Sequence, residues 1–252
     1  MKYCITLLLS LFSCVVAFAN NYEPGDTLNV VAINGLSLRV EPNTKSEKLL
    51  VMPAGERILV LDTLTQGNPL DTIFGFSGKW VHVQSSQGIV GYVFDAFIST
   101  LPFVESYVHT GNMSEPEKDI NYGYGLSLYF KDYIEQNFEI SCVIEYGNGY
   151  DGEGSQSMKL HQLADEQLMI HHQYWEGSSV EVQFKKVRLS ELYYLVYQLV
   201  GEQSHLVDDN ILRNPTYGRN NSCVFQSGYG CLARVIKTSE DSYSLSFVFP
   251  CC

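Results

Sequence analysis

The sequence predicts a mixed fold: an all-β barrel at the N-terminus followed by an α+β domain, an antiparallel sheet with two helices. Three observations point there. From Thr27 to Thr100, short apolar runs are cut by turn residues, with no helical period. Beyond Glu105, apolar residues recur at helical spacing twice, around 126–134 and 192–199. Between and after those helices, apolar and polar residues alternate with the period of a half-buried strand.

The first unit starts after a polar leader that holds the Pro24-Gly25 turn. Leu28 to Ala32 and Leu36 to Leu38 alternate as strands, while Leu49 to Met52 and Ile58 to Leu61 are short apolar runs bounded by turn residues. Asp62 to Lys79 reads as a long connection that nevertheless carries Phe74 and Phe76, an unusual content for a solvated loop and a candidate specificity element. In the strands around Trp80–Val83 and Val90–Phe94, alternation sends Val81, Val83 and Val93 inward. It sends Trp80, His82, Tyr92 and Phe94 outward, as an apolar platform for a ligand.

Leu101 to Tyr124 is rich in Pro and Gly and reads as a linker and entry segment. Leu126, Tyr129, Phe130, Tyr133 and Ile134 then form one helical stripe. A strand follows at Ile140–Tyr146, another near Met158–Leu163, and a hairpin with Leu168, Ile170 and Tyr174 on one arm and Val180, Val182 and Phe184 on the other. Ser190 is placed as an N-cap, with Leu189 and Tyr194 as a hydrophobic staple. Leu192, Leu195, Val196 and Leu199 make the second stripe, and Gly201 ends it. Pro215 to Gly230 reads as polar and glycine-rich, and Leu232–Lys237 with Tyr243–Phe249 as a last hairpin. No internal repeat is evident.

Two phrases in the first unit carry a family resemblance. Asn34-Gly35-Leu36-Ser37-Leu38-Arg39-Val40-Glu41-Pro42 is followed by the Pro53-Ala54-Gly55 turn, then by Trp80-Val81-His82-Val83 and Gly91-Tyr92-Val93. This order resembles the bacterial SH3-like domain over residues 27–100. The resemblance implies a small binding barrel for a peptide or the peptide stems of cell-wall polymer. Trp80, Tyr92, Phe94, Phe74 and Arg39 are then the ligand-binding candidates. Arg39 has a structural alternative, pairing with Glu41 or another barrel carboxylate. The C-terminal unit, 105–252, resembles no family.

The ends and the charge narrow the setting. Lys2, the apolar stretch Ile5–Val16 and Ala17-Phe18-Ala19 have the layout of a secretory signal peptide over residues 1–19, so a secreted or periplasmic protein of the cell envelope is expected. Leu11-Phe12-Ser13-Cys14 loosely resembles a lipobox, which would instead place a lipid on Cys14. No later stretch is apolar enough to insert in a membrane. The chain of 252 residues carries 16 basic and 28 acidic side chains, a formal charge of −12, which disfavours nucleic acid as a partner. Peptide, peptidoglycan stem or an envelope protein remain. In an oxidising compartment the cysteines read as disulfide candidates: Cys223 with Cys231 across a glycine-containing loop, and Cys142 with Cys251 or Cys252.

Catalytic signatures are weak. Ser222-Cys223-Val224-Phe225 resembles the nucleophile turn of papain-like cell-wall endopeptidases, but its Asp and Gly are missing and the last histidine, His205, precedes the cysteine. His161, His171 and His172 lie on neighbouring strands, yet His171 and His172 face opposite ways and cannot easily share a zinc ion. The Asp151-Gly152-Glu153 loop lacks the full pattern of a calcium site. No phosphate-binding glycine loop occurs, and no cofactor is expected. The expectation is a non-catalytic binding protein. An enzyme with its active site in the C-terminal unit, and a structural or inhibitory module that docks a protein, stay open.

Overall fold

The structure is a computed structural model that describes residues 22–63, 70–104, 122–147, 157–164, 167–174, 177–201, 216–217, 223–227, 230–239 and 242–248. It is predominantly β, with two α-helices among those residues. Residues 1–19 with Cys14, the Asp151-Gly152-Glu153 loop, His205, and Cys251 and Cys252 lie outside them.

The N-terminal strands are β1 (Thr27–Val30), β2 (Leu36–Arg39), β3 (Lys48–Met52) and β4 (Arg57–Asp62). After them come β5 (Asp71–Ile73), β6 (Phe76–Gly78), β7 (Trp80–Gln84), β8 (Val90–Phe94) and β9 (Ile98–Ser99). Seven of these form one antiparallel sheet in the order β3-β2-β8-β7-β4-β1-β9. Its interior is aliphatic: Leu28, Val30, Leu38, Met52, Ile58, Val60, Val81, Val83 and Val93 are all buried. Alternation therefore places the valines of β7 and β8 correctly.

The connection from Asp62 to Lys79 is not all loop. β5 and β6 pair as a separate hairpin, with Ile73 opposite Phe76. Its two turn residues, Phe74 and Gly75, have φ of +53° and +83°. Positive φ at both central positions is the type I′ requirement, which matches the right-handed twist of paired strands. The first of the two positions here is a phenylalanine rather than the usual Asn or Gly.

The C-terminal elements are α1 (Tyr122–Asn137), β10 (Ile140–Gly147), β11 (Ser157–Leu163), β12 (Leu168–Tyr174) and β13 (Gly177–Lys185). Then come α2 (Leu189–Gly201), β14 (Thr216–Tyr217), β15 (Cys223–Ser227), β16 (Gly230–Lys237) and β17 (Ser242–Val248). The strands make one eight-stranded sheet, β10-β11-β12-β13-β17-β16-β15-β14, every neighbouring pair antiparallel. Val180, Val182, Phe184, Phe225, Val235, Leu245 and Phe247 form its buried face, joined by Phe130 and Ile134 of α1 and Leu192 and Val196 of α2.

Three expectations fail here for physical reasons. The stretch read as polar and glycine-rich supplies β14 and β15, because Cys223 and Phe225 alternate inward and bury completely beside Val235 and Ala233. In β12 the inward face is Met169 and His171, not Leu168 and Ile170. Pairing with Val182 and Val180 of β13 fixes the register, and a register fixes the face. Helix α2 begins one residue before Ser190. Glu191 reaches back to the backbone N–H of Arg188 at 2.8 Å, the return half of a capping box.

The two sheets meet along α2, where charge is buried. Arg188 donates from Nε to Glu191 (3.2 Å) and from Nη2 to the carbonyl of Ile98 (2.7 Å), and its Nη1 makes an ion contact with Asp95 at 3.1 Å. Asp95 also accepts from the Tyr22 hydroxyl (3.0 Å) and from the Lys79 N–H (2.7 Å). The other oxygen of Glu191 accepts from the Ser99 hydroxyl and the Thr100 N–H, both at 2.9 Å. The two carboxylates raise the basicity of Arg188 against the opposing effect of burial, and burial beside Asp95 raises the Tyr22 phenol. The segment that leaves the first sheet is fixed as well: Leu101 and Val104 are buried in the second core, and Tyr133 donates to the Pro102 carbonyl at 2.8 Å.

Candidate functional site

A cleft of about 730 Å³ opens next to this buried charge, between the N-terminal sheet and α2. One side is the loop Ala32–Gly35 and strand β2 with Ser37 and Arg39. Trp80, Phe94 and Phe97 form the floor, and Ile73 and Phe74 of the β5–β6 hairpin stand at one end. Tyr193, Tyr194 and Tyr197 close the far side. Residues 193 and 197 are one helical turn apart and so share a face.

The rings are packed into one continuous surface. Trp80 and Phe94 face each other across β7 and β8, with centroids 5.7 Å apart. Phe94 and Phe97 are also 5.7 Å apart, Phe97 is 6.0 Å from Tyr194, and Phe76 stands edge-on to Tyr193 at 5.1 Å. Such edge and tilted pairs hold rings rigidly, which lowers the entropy cost of presenting them to a ligand. Phe74 sits 6.2 Å from Phe97 and is 86% exposed.

The candidates from sequence thus divide. Trp80, Phe94, Phe74 and Arg39 line the cleft, and Tyr92 does not. Tyr92 stacks on His82 at 4.8 Å, half-buried elsewhere on the sheet. The outward platform expected for Trp80 and Phe94 is not solvent-facing, because they are 4% and 1% exposed. They do lie opposite in parity to Val81 and Val93. The hairpin ring of Phe76, the ring of Phe97 and the tyrosines of α2 extend the aromatic packing over that face. The two faces of the sheet are therefore both covered, and the cleft is what remains open.

The tyrosines of α2 were not among the candidates. Their signal was present, since Tyr193, Tyr194 and Tyr197 flank the apolar stripe, but no partner surface could be assigned to that flank from the sequence.

Arg39 settles its own alternative. Glu41 accepts from Asn43 at 3.3 Å, whereas Arg39 donates from Nη1 to the Ser46 carbonyl at 2.6 Å. Among the described residues no carboxylate pairs with Arg39, and no Asp or Glu lines the cleft.

The cysteine and histidine candidates behave differently. Cys223 and Cys142 are free thiols, the first buried and the second exposed. The pairing of Cys223 with Cys231 is ruled out by register: Cys231 stands opposite Gln226 and Cys223 opposite Val235. That leaves them about 10 Å apart along the strands, too far for a disulfide. Burial pushes the Cys223 thiol up to about 12, which keeps it protonated and non-nucleophilic. His161 and His171 are both buried, within electrostatic reach of Lys131 and Glu135 of α1, while His172 is half-buried with the opposite parity. Among the described residues no three His, Cys, Asp or Glu side chains converge to hold a metal.

Comparison with known proteins bears on the first sheet alone. Residues 34–99 match the family described as the bacterial SH3 domain. No curated protein and no solved structure matches the chain. Two glycines of the matched span are explained by contact: a Cβ on Gly91 would meet the Arg39 carbonyl at 2.6 Å, and one on Gly78 would meet Phe94 Cζ at 2.9 Å.

Proposed function

We propose that this chain, which carries a bacterial SH3 domain at residues 34–99, is a non-catalytic binding protein of the bacterial envelope. Its ligand is a peptide or the peptide part of cell-wall polymer. The observation that carries the reading is the aromatic cleft, where an SH3 domain presents Trp80, Phe94, Phe97 and Phe74 toward one open channel. A channel floored by packed rings and edged by neutral polar groups and one arginine suits an extended chain whose side chains and Cα–H groups pack on ring faces and whose polar groups find hydrogen-bond partners. The protonated, inaccessible state of Cys223 argues against thiol catalysis at the sequence's best nucleophile candidate. Among the described residues no helix is long and apolar enough to cross a membrane.

Co-sedimentation of the full chain with purified cell-wall sacculi tests this. The wild type is expected to sediment with the wall and to release no soluble muropeptides. The double variant Phe74→Ala/Tyr197→Ala should lose at least tenfold in affinity, as expected for removal of two aromatic contacts, while His82→Ala binds normally. Undiminished binding by the double variant would remove the cleft from the account. Release of muropeptides would replace the reading with an enzyme.

A further inference from the structure

We infer that the cleft selects a ligand bearing a free carboxylate, which Arg39 anchors while the aromatic rings hold the adjoining apolar segment. The inference deepens the proposed binding role and rests on it.

Two arginines among the described residues are half-buried, and their surroundings differ. Arg188 has Glu191 and Asp95 both in contact. Arg39 is half-buried at the cleft, yet its single hydrogen bond is to a backbone carbonyl. That bond orients the guanidinium and leaves its other N–H groups without a carboxylate partner among the described residues. An arginine presents a planar fork that fits a carboxylate bidentately. Removed partly from water and walled by rings, such a pairing is less screened than on an open surface.

The rest of the lining supports the same ligand. Asn34, Ser37 and Thr44 line the cleft with neutral polar side chains, and Tyr193, Tyr194 and Tyr197 add rings that each carry a hydroxyl. Apart from Arg39, the remaining lining side chains are ring or aliphatic. With no acid in the lining among the described residues, a cationic ligand would meet no counter-charge there, and it would be repelled by Arg39. A neutral glycan would stack on the rings but leave the guanidinium unpaired. A peptide segment with a carboxylate satisfies both features at once.

The deciding experiment uses sacculi stripped of phosphate polymers with hydrofluoric acid, so that carboxylates are the main anions. One portion is kept native and one has its carboxylates converted to amides. Full-length wild type is expected to bind the native wall about tenfold to a hundredfold more tightly than the amidated wall, the range for a charged hydrogen-bonded pair. Arg39→Gln should lose that preference and bind both walls equally, and Arg39→Lys should recover part of it. Raising the salt concentration should weaken wild type on native wall and leave Arg39→Gln nearly unchanged.

Equal binding of both walls by wild type would overturn the inference and point to the glycan, with the binding role intact. An unchanged preference in Arg39→Gln would equally overturn it, since the carboxylate would then be read elsewhere. Absence of binding to either wall would take down the binding role and the inference together.

Discussion

Arg188 and Arg39 stand on either side of one junction and are used in opposite ways. Arg188 is enclosed by Asp95, Glu191, the Ile98 carbonyl and the ring of Tyr22, 5.5 Å from its guanidinium carbon. Every charge there has an answer within the protein. Arg39 lies on β2, the neighbour of the strand that leads into Asp95, and lines a channel with no acid among the described residues; one carbonyl holds it. A half-buried cation with two carboxylates maintains the geometry between the sheets. A half-buried cation with none is available to something else. The same residue type thus marks a structural and a recognition role, and the neighbours decide which.

The largest expected effect separates these roles directly. Arg188→Met leaves Asp95 and Glu191 as buried carboxylates without their shared cation and should cost about 3–5 kcal/mol in urea denaturation. Arg39→Gln removes one charged hydrogen bond to a carbonyl and should cost about 1.5 kcal/mol. If the two variants lose comparable stability, the contrast is wrong.

A second measurement asks whether acid acts through the junction at all. Burial is the main reason that His171 is held down to about 4 from the ordinary imidazole value of 6.5, and nearby Lys131 adds to it. His161 beside it is shifted down by the same cause. A depressed folded-state value means that the unfolded chain binds more protons between about 4 and 6.5. Stability is therefore complete above pH 6.5 and falls as the pH drops toward 4. Denaturation midpoints measured across this range should show that decline in wild type and in Arg188→Met alike, and a shallower one in His171→Gln. A decline abolished by Arg188→Met would transfer the acid response to the junction.

The smallest effect concerns the hairpin tip. Phe74→Asn places a residue that tolerates positive φ beside Gly75 and should stabilise the chain by about 1 kcal/mol. The same change should weaken wall binding. A gain in both would show that Phe74 occupies a strained position for no purpose in recognition.

Much of the first sheet was legible because its phrases carry both alternation and turn chemistry: Leu36 and Leu38, the Pro53-Ala54-Gly55 turn, and the valines of β7 and β8. Parity also gave the correct sidedness of Trp80 and Phe94. What parity cannot give is what lies over a face, and here the cover includes residues some 100 positions later in the chain. The α2 tyrosines were invisible as site residues for that reason. In the second sheet, the more apolar parity of β12, Leu168 and Ile170, is not the buried one, and Met169 and His171 face inward. Pairing with β13 outweighed hydrophobicity, at the expense of burying a histidine. The β5–β6 hairpin was missed because its turn reads Phe-Gly rather than Asn-Gly. The disulfide between Cys223 and Cys231 failed on register, which spacing along the chain does not reveal.

The buried Arg188 cluster has a thermodynamic consequence. Because the cores of both sheets share α2, neither should melt without disturbing the other, and heating should give one cooperative transition rather than two. A ligand seated against that helix would then raise the melting temperature of the whole chain, by an amount set by its concentration relative to its dissociation constant.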